Sequence, residues 1–142
     1  MIKLDITKEG VTVYRKFKRA AKRTAKSAAQ LEGKKGRISV SLLFTDSDNI
    51  RRLNKQYRGK DEETDVLSFP SEEKEFLGDI AVCLPKAQQQ AAEVCQSTER
   101  EIAFLVAHSM LHLFGYDHGT EKEAEKMREK ERQILNKTGY KR

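Results

Sequence analysis

The chain contains few of the residues on which several protein classes depend. Its 142 residues include no tryptophan, two prolines and two cysteines, Cys83 and Cys95. Two cysteines without a regular spacing argue against a disulfide framework or a thiolate metal site, so we expect two reduced thiols that are buried or half-buried. Internal repeats, low-complexity tracts and linkers are also absent. A chain of this length and composition is expected to form one domain over residues 1–142.

Long apolar runs are missing as well. No stretch approaches the roughly 20 consecutive apolar residues that a membrane-spanning helix requires. The opening residues, 1–5, have neither an apolar signal core nor a small-residue cleavage site. We therefore expect a cytoplasmic protein without a membrane partner.

Positive charge is abundant but concentrated in one segment. The chain carries a formal net charge of +6, and residues 8–35 contain ten basic residues against two acidic ones, Glu9 and Glu32. That segment therefore carries +8, and the remainder of the chain carries −2. Such an asymmetry predicts a polyanionic partner, with nucleic acid as the first candidate.

The apolar pattern predicts an α+β fold with its helices concentrated in the second half. Alternating or continuous apolar residues predict four strands, over residues 2–7, 37–44, 65–69 and 77–84. Periods of 3.6 residues predict five helices, over residues 9–31, 45–57, 85–95, 98–114 and 120–137. Capping boxes are predicted to begin the second, fourth and fifth of these helices, at Thr45 with Asp48, Thr98 with Glu101, and Thr120 with Glu123.

The first predicted helix is amphipathic. Its apolar face is formed by Val13, Phe17, Ala20, Ala21, Ala28 and Leu31. Its opposite face carries the candidate RNA-binding residues Arg15, Lys18, Arg19, Lys22 and Lys26. Basic side chains in such a row are able to follow a nucleic-acid backbone, but a charge run is equally typical of a solvated helix face. The sequence leaves both interpretations open.

All three histidines lie in one window of eleven residues. His108 and His112 are four residues apart on the fourth predicted helix, so both imidazoles project from one face. Gly115 is placed to end that helix in a left-handed turn, after which His118 reaches the same ion. Three nitrogen ligands leave a fourth tetrahedral position open, as in catalytic zinc sites. We therefore predict one Zn²⁺ per chain, or another divalent transition metal, on these three histidines.

The spacing of the histidines is that of the metzincin peptidases, but one residue argues against peptide hydrolysis. In those enzymes a glutamate follows the first histidine and acts as the general base. Ser109 occupies that position here, and a hydroxyl is too weak an acid or base to replace a carboxylate. Phosphodiester cleavage instead needs charge on a phosphoryl oxygen to be stabilised, which a metal and a positive side chain supply. The pattern therefore favours phosphate chemistry.

Three motifs occur in a recognisable order along the chain. They are L-N-K-Q-Y-R-G-K-D running into T-D-V-L-S-F-P within residues 53–70, L-G-D-I over residues 77–80, and H-S-M-L-H-L-F-G-Y-D-H over residues 108–118. Together they resemble the YbeY family of bacterial endoribonucleases, also called rRNA maturation factors, over residues 37–135. The family usually has glycine at the position of Ser109. We expect this difference to affect helix packing more than metal binding.

This resemblance implies a zincin-like single domain with a mixed β-sheet and a metal-binding helix followed by a glycine turn. It also implies a single-strand-specific endoribonuclease that acts in 3′-end maturation of small-subunit (16S) ribosomal RNA and in ribosome quality control. The implied partners are single-stranded or ribosomal RNA and the small ribosomal subunit or its assembly proteins, without an organic cofactor.

The resemblance also places the family's functionally important arginine on Arg58. At a helix end beside Gly59, its guanidinium is able to bind a phosphate through two hydrogen bonds, although an arginine in a polar loop is often only solvated. Asp79 and Asp117 are expected near the site, and Asp117 either orients an imidazole or, as we favour, caps the turn.

Two other functions remain open from the sequence alone. One is a non-catalytic ribosome-assembly factor whose metal is structural. The other is a metallopeptidase-like hydrolase of a small substrate, which the histidine spacing favours and Ser109 opposes.

Overall fold

The computed structural model describes residues 1–141, over which the chain forms four strands and five helices. The strands are β1 (Ile2–Glu9), β2 (Ile38–Thr45), β3 (Val66–Pro70) and β4 (Phe76–Cys83). The helices are α1 (Arg15–Leu31), α2 (Ser47–Arg58), α3 (Leu84–Glu93), α4 (Thr98–Leu113) and α5 (Glu121–Thr138). Within this described part, no helix has both the length and the apolar character that a membrane crossing requires.

The strands form one mixed sheet in the order β1-β2-β4-β3. β1 pairs with β2 and β2 pairs with β4 in parallel, whereas β3 runs antiparallel to β4 at one edge. A parallel pair needs a long crossover connection, and α1 provides the one between β1 and β2. The predicted α+β class with a mixed sheet is confirmed.

The two faces of the sheet are covered by different helices. Successive side chains of a strand point to opposite faces, so Leu42 and Val82 enter the larger core together with residues of α1, α4 and α5. Leu67 and Ala81 point the other way and pack against Ile50 of α2 in a smaller core. The helix that carries two of the histidines therefore belongs to the larger core.

The central helix α4 is held close to the sheet by a glycine. Ten of its sixteen residues are buried, as its nearly continuous apolar sequence predicts. At Gly78 of β4, φ is 146°, in a region that favours glycine. A Cβ at Gly78 would collide with the carbonyl oxygen of Phe69 and lie 3.0 Å from Cδ2 of Leu113. The missing side chain therefore lets the last turn of α4 rest against β3 and β4.

The first helix begins later than its periodicity predicted. The prediction from residue 9 is wrong, because β1 continues to Glu9, which pairs with Thr45, and Gly10 then turns the chain with a φ of 76°. The strand ladder outweighs the local helical pattern over these residues. Val13 therefore precedes α1, which begins at Arg15, although it still packs half-buried against the larger core.

The cap of α2 lies one residue beyond its predicted position. Asp46 rather than Thr45 caps the helix, and its carboxylate accepts a hydrogen bond of 2.9 Å from the backbone N–H of Asn49. Thr45 still belongs to β2, and its hydroxyl donates to the carbonyl oxygen of Glu9. Thr45 therefore belongs to β2, whereas the capping pattern had assigned it to the start of the helix.

The other two caps have different outcomes. Ser97, and not Thr98, caps α4, with its hydroxyl accepting from the backbone N–H of Arg100 at 3.3 Å. Thr120 caps α5 as predicted, since its hydroxyl accepts from the backbone N–H of Glu123 at 3.1 Å. Where two hydroxyl residues adjoin, as at 97 and 98, the sequence pattern does not distinguish the cap from the first helical residue.

The two cysteines are free, as predicted, but only one is inside the protein. Cys83 at the end of β4 is buried. Cys95 is exposed just after α3, so the prediction that both thiols are at least half-buried is wrong for this residue.

Candidate metal centre

His108 and His112 project from the same side of α4, as their spacing predicts. Their Nε2 atoms lie 3.1 Å apart and their ring centroids 4.6 Å apart. Both side chains are half-buried. Two candidate ligands are thus brought together by the helix itself, since residues four apart lie on one face.

The turn after α4 brings the third histidine beside them. The backbone N–H of Gly115 donates to the carbonyl of His112, and that of Tyr116 donates to a carbonyl in the last turn, which is the Schellman pattern. Gly115 has a φ of 99°, and the predicted glycine turn is confirmed. The ring of His118 consequently lies with its centroid 5.7 Å from that of His108 and 5.1 Å from that of His112.

The three imidazoles suit a transition-metal ion. One ring nitrogen of each histidine lies within 4.8 Å of the others. Tetrahedral zinc, with bonds of about 2.0–2.1 Å, places its ligand nitrogens about 3.3 Å apart, close to the 3.1 Å between the Nε2 atoms of His108 and His112. A donor set of three imidazoles also fits zinc, copper or nickel better than magnesium or calcium.

The surroundings of His112 favour the form that binds metal. Its Nδ1 donates to the carbonyl oxygen of Tyr116 at 3.0 Å, so that Nε2 faces the other rings. Burial, and after it the neighbouring imidazole of His108, hold the pKa of His112 below its ordinary value of 6.5. The ring therefore stays neutral to a lower pH than a free histidine, and a neutral imidazole is the ligand.

His108 faces a carboxylate from another helix. Oε2 of Glu131 in α5 lies 3.5 Å from Nδ1 of His108. On its other side, the ring of Phe104 stacks against the imidazole with centroids 6.2 Å apart. His108 and His112 therefore share one arrangement, with Nδ1 toward an oxygen atom and Nε2 toward the common centre.

Arg58 ends α2 and is held against β3. One guanidinium nitrogen, Nη2, donates to the carbonyl oxygen of Ser68 at 2.6 Å. The guanidinium carbon lies 5.5 Å from the ring centroid of Phe69, within cation–π range. Over residues 1–141, no carboxylate forms an ion pair with Arg58. Its positive charge is therefore positioned by the fold and is not neutralised by it.

Arg58 and the three histidines line one open cleft of about 530 Å³. The strand β3 forms one wall, and the end of α4 with the following turn forms the other. The complete lining is Arg58, Val66, Leu67, Ser68, Pro70, His108, His112, Gly115, Tyr116, Asp117 and His118. A cleft of this volume is within the range of ligand-binding sites, and it combines a guanidinium with a candidate metal centre.

The two aspartates expected near the site lie in different places. Asp117 lines the cleft, and its Oδ1 accepts from the backbone N–H of His118 at 2.7 Å, which is the turn-capping role that we favoured. Asp79 is exposed and lies in a groove with Tyr57 and Phe69. The expectation for Asp79 is wrong, because its neighbour Ile80 enters the larger core and alternate residues of β4 face opposite sides.

The basic face of α1 lies apart from the cleft. α1 and α4 run side by side in the same direction, since Lys16 pairs with Glu99 near their first turns and Tyr116 donates to Glu32 beyond their last turns. At about 1.5 Å per residue, the five basic positions lie about 9 to 25 Å along α1 from the end that contacts Tyr116. All five are exposed, and among described residues none of them lines the cleft, namely Arg15, Lys18, Arg19, Lys22 and Lys26.

Ser109 is fully buried between the two helical histidines. Its hydroxyl has no hydrogen-bond partner in the described part of the chain. Because α4 directs this side chain into the core, Ser109 does not line the cleft that contains the three histidines. The position that carries the general base in metzincin peptidases therefore holds a group that does not reach the cleft.

Three features of the site were not predicted from the sequence. The carbonyl groups of Ser68 and Tyr116 carry no side-chain signal, because every residue has a carbonyl. Glu131 did leave a signal: it falls on the same stripe of α5 as Met127 and Leu135, both of which are buried. A carboxylate on an apolar stripe indicates a buried partner, and here that partner is His108.

Comparison with known proteins identifies one family. A family model described as "Endoribonuclease YbeY" matches residues 3–139. Endoribonuclease YbeY of Caldanaerobacter subterraneus subsp. tengcongensis is 44% identical over 136 residues, which cover 84% of this chain and 86% of that relative. Endoribonuclease YbeY of Clostridioides difficile is 50% identical over 115 residues, or 75% of each chain.

A solved structure supports the same relationship. The solution structure of a Thermotoga maritima protein matches with a TM-score of 0.64 and 30% identity, covering 96% of this chain and 91% of that one. The histidine cluster and the mixed sheet are thus found in a chain whose sequence matches one family along nearly all of its length. The chain belongs to the YbeY endoribonuclease family.

Proposed function

We propose that this protein is a metal-dependent endoribonuclease that cuts single-stranded RNA. The observation that carries the proposal is one cleft lined both by three imidazoles and by the guanidinium of Arg58, which no carboxylate of residues 1–141 pairs. The names of its relatives support RNA as the substrate. The proposal includes one Zn²⁺ on His108, His112 and His118.

The proposed biological role is 3′-end maturation of small-subunit (16S) ribosomal RNA, together with ribosome quality control. Its partners would be ribosomal RNA and the small ribosomal subunit or its assembly proteins, in the cytoplasm and without an organic cofactor. Membership of the YbeY family and the basic face of α1 support this role, since a basic surface attracts a large polyanion.

The metal ligands and Arg58 have different proposed roles in the reaction. A bound Zn²⁺ would supply Lewis-acid stabilisation of the charge that develops on a phosphoryl oxygen. Arg58 would bind a phosphate oxygen of an RNA in the same cleft, because its planar guanidinium presents paired N–H donors. The Ser68 carbonyl and the Phe69 ring hold the guanidinium in position, which reduces the entropy lost when substrate binds.

Peptide hydrolysis has less support from the same geometry. It needs a general base within reach of the attacking water, and the residue after His108 is the buried Ser109. A purely structural metal also has less support. Structural zinc usually has four protein ligands, whereas the cluster within residues 1–141 has three, and His118 is exposed.

The first test is cleavage of RNA with and without metal. Protein stripped by a chelator is expected to cut a labelled single-stranded RNA at least about 100-fold more slowly than protein resupplied with Zn²⁺, because several kcal/mol of charge stabilisation are lost. The same strand annealed to its complement serves as the control and should resist cleavage. Equal cutting by the stripped and resupplied protein would contradict metal dependence.

A second test concerns the basic face of α1. If Lys18 and Lys22 each contact a phosphate, the double variant Lys18→Gln/Lys22→Gln should bind RNA with a weaker salt dependence. The slope of log K against log salt concentration should fall by about 1.4 for single-stranded RNA. The variant Lys74→Gln/Lys86→Gln removes two lysines outside α1 and serves as the matched control. A slope equal to that of the wild type would indicate that the basic face of α1 is solvated and does not contact RNA.

A further inference from the structure

We infer that Glu131 is a positioning residue, which holds the imidazole of His108 in the orientation that binds metal. The inference rests on the metal site of the proposed function and adds to it a residue from a different helix. Glu131 lies in α5, thirteen residues beyond His118, and its side chain is 7% exposed. It reaches the metal centre only because α5 packs back against α4.

The contact joins two buried atoms. Oε2 of Glu131 lies 3.5 Å from Nδ1 of His108. Both atoms are inaccessible to solvent, and in the described chain neither has a hydrogen bond. The separation exceeds the usual N–H···O limit of about 3.2 Å by a few tenths of an ångström, which a small side-chain rotation closes.

The direction of the ring gives this contact its meaning. Nε2 of His108 points toward Nε2 of His112, 3.1 Å away, so Nδ1 is the nitrogen that faces away from the metal centre. A neutral imidazole that ligates through Nε2 carries its hydrogen on Nδ1 and needs an acceptor there. The carbonyl of Tyr116 is that acceptor for His112, and Glu131 is the corresponding group for His108.

Packing alone does not account for a carboxylate at this position. The neighbouring positions of its stripe are Met127, Ile134 and Leu135, all buried and apolar. Burying a carboxylate among them is unfavourable unless it is paired, and an apolar side chain of similar volume is commonly tolerated as well or better. A role in metal binding therefore predicts that an apolar substitution lowers zinc affinity without lowering stability. A role in folding predicts that the same substitution lowers stability.

The experiment compares zinc affinity in the full-length protein carrying Glu131→Gln, Glu131→Leu or Glu125→Gln. Zinc affinity is measured by competition with a chromophoric chelator, and unfolding of the metal-free protein is followed by circular dichroism. Outer partners of metal ligands contribute about 10- to 100-fold to affinity, so we expect a loss of about 10-fold for glutamine and about 100-fold for leucine. Glu125 is exposed on the same helix, and its substitution should leave the affinity unchanged.

Two readouts separate positioning from a structural role. The unfolding temperature of the metal-free Glu131→Leu protein should stay within about 3 °C of the wild type or rise. The visible absorption of the Co²⁺-substituted protein should change in Glu131→Gln, because the coordination geometry has relaxed, and should not change in Glu125→Gln.

The outcomes also distinguish this inference from the proposed function. Wild-type zinc affinity in Glu131→Leu overturns the role of Glu131, whatever happens to the unfolding temperature. Failure of the wild-type protein to bind zinc overturns the metal site and the positioning role with it. If zinc affinity follows the expected order but neither the wild type nor any variant cuts RNA, the proposed function fails and the role of Glu131 stands.

Discussion

Replacing His112 by alanine is expected to lower zinc affinity by more than about 100-fold, the upper range for losing only an outer partner of a ligand. The three rings form a triangle, and His112 is the one nearest to both others, with centroid distances of 4.6 Å to His108 and 5.1 Å to His118. Its loss leaves His108 and His118, whose ring centroids are 5.7 Å apart and which do not lie on the same helix. RNA cleavage should fall by at least the same factor.

The control for this experiment is Tyr116→Phe. Tyr116 supports His112 through its backbone carbonyl, which the substitution retains, while the hydroxyl that donates to Glu32 is lost. Zinc affinity should therefore remain near the wild-type value. The measurements are zinc content after dialysis, affinity by chelator competition, and the rate of RNA cleavage. Retention of wild-type zinc affinity by His112→Ala would contradict the assignment of this metal centre.

Replacing Arg58 by alanine is expected to slow RNA cleavage by about 100- to 1,000-fold, the usual effect of removing one preorganised donor to a developing negative charge. Zinc affinity should not change, because Arg58 ends α2 and its contacts are with Ser68 and Phe69 of β3. Arg58→Lys should restore only part of the rate, since an ammonium group cannot form the paired hydrogen bonds of a guanidinium.

A neighbouring arginine provides the matched control for Arg58. Arg52 is exposed on the same helix, and Arg52→Ala removes an equal charge without touching the cleft lining. Single-turnover cleavage rates at saturating protein separate a loss of chemistry from a loss of RNA binding. If Arg58→Ala and Arg52→Ala cut RNA equally fast, Arg58 has no part in the reaction.

The candidate metal centre was predictable because it is local in sequence. The four-residue spacing of His108 and His112 defines their separation once a helix forms, and Gly115 marks the turn. Both features depend on backbone geometry within eleven residues. The contact between Glu131 and His108, by contrast, forms only after α5 has packed on α4, and no short sequence pattern predicts the angle of that packing.

The errors in the fold arose where tertiary pairing competed with a local pattern. The helical periodicity from residue 9 is real, but pairing of Glu9 with Thr45 extends β1 and delays α1 to Arg15. The contact of Arg58 with Ser68 likewise depends on how the loop of residues 59–65 returns β3 to the end of α2. The family resemblance indicated Arg58, whereas no periodicity or spacing did.

The parallel pairing of β1, β2 and β4 also bears on how the molecule assembles during its synthesis. Ile2 pairs with Ile38 and Ser39 with Phe76, so the neighbouring strands are separated by 36 and 37 positions. Closing loops of that length costs chain entropy before the contacts compensate for it, which slows folding. The residues that line the cleft extend to His118, so the cleft cannot be complete before the ribosome has translated the chain to that point, and Glu131 meets His108 only after α5 has followed. The site remains open and unformed for most of the protein's own synthesis.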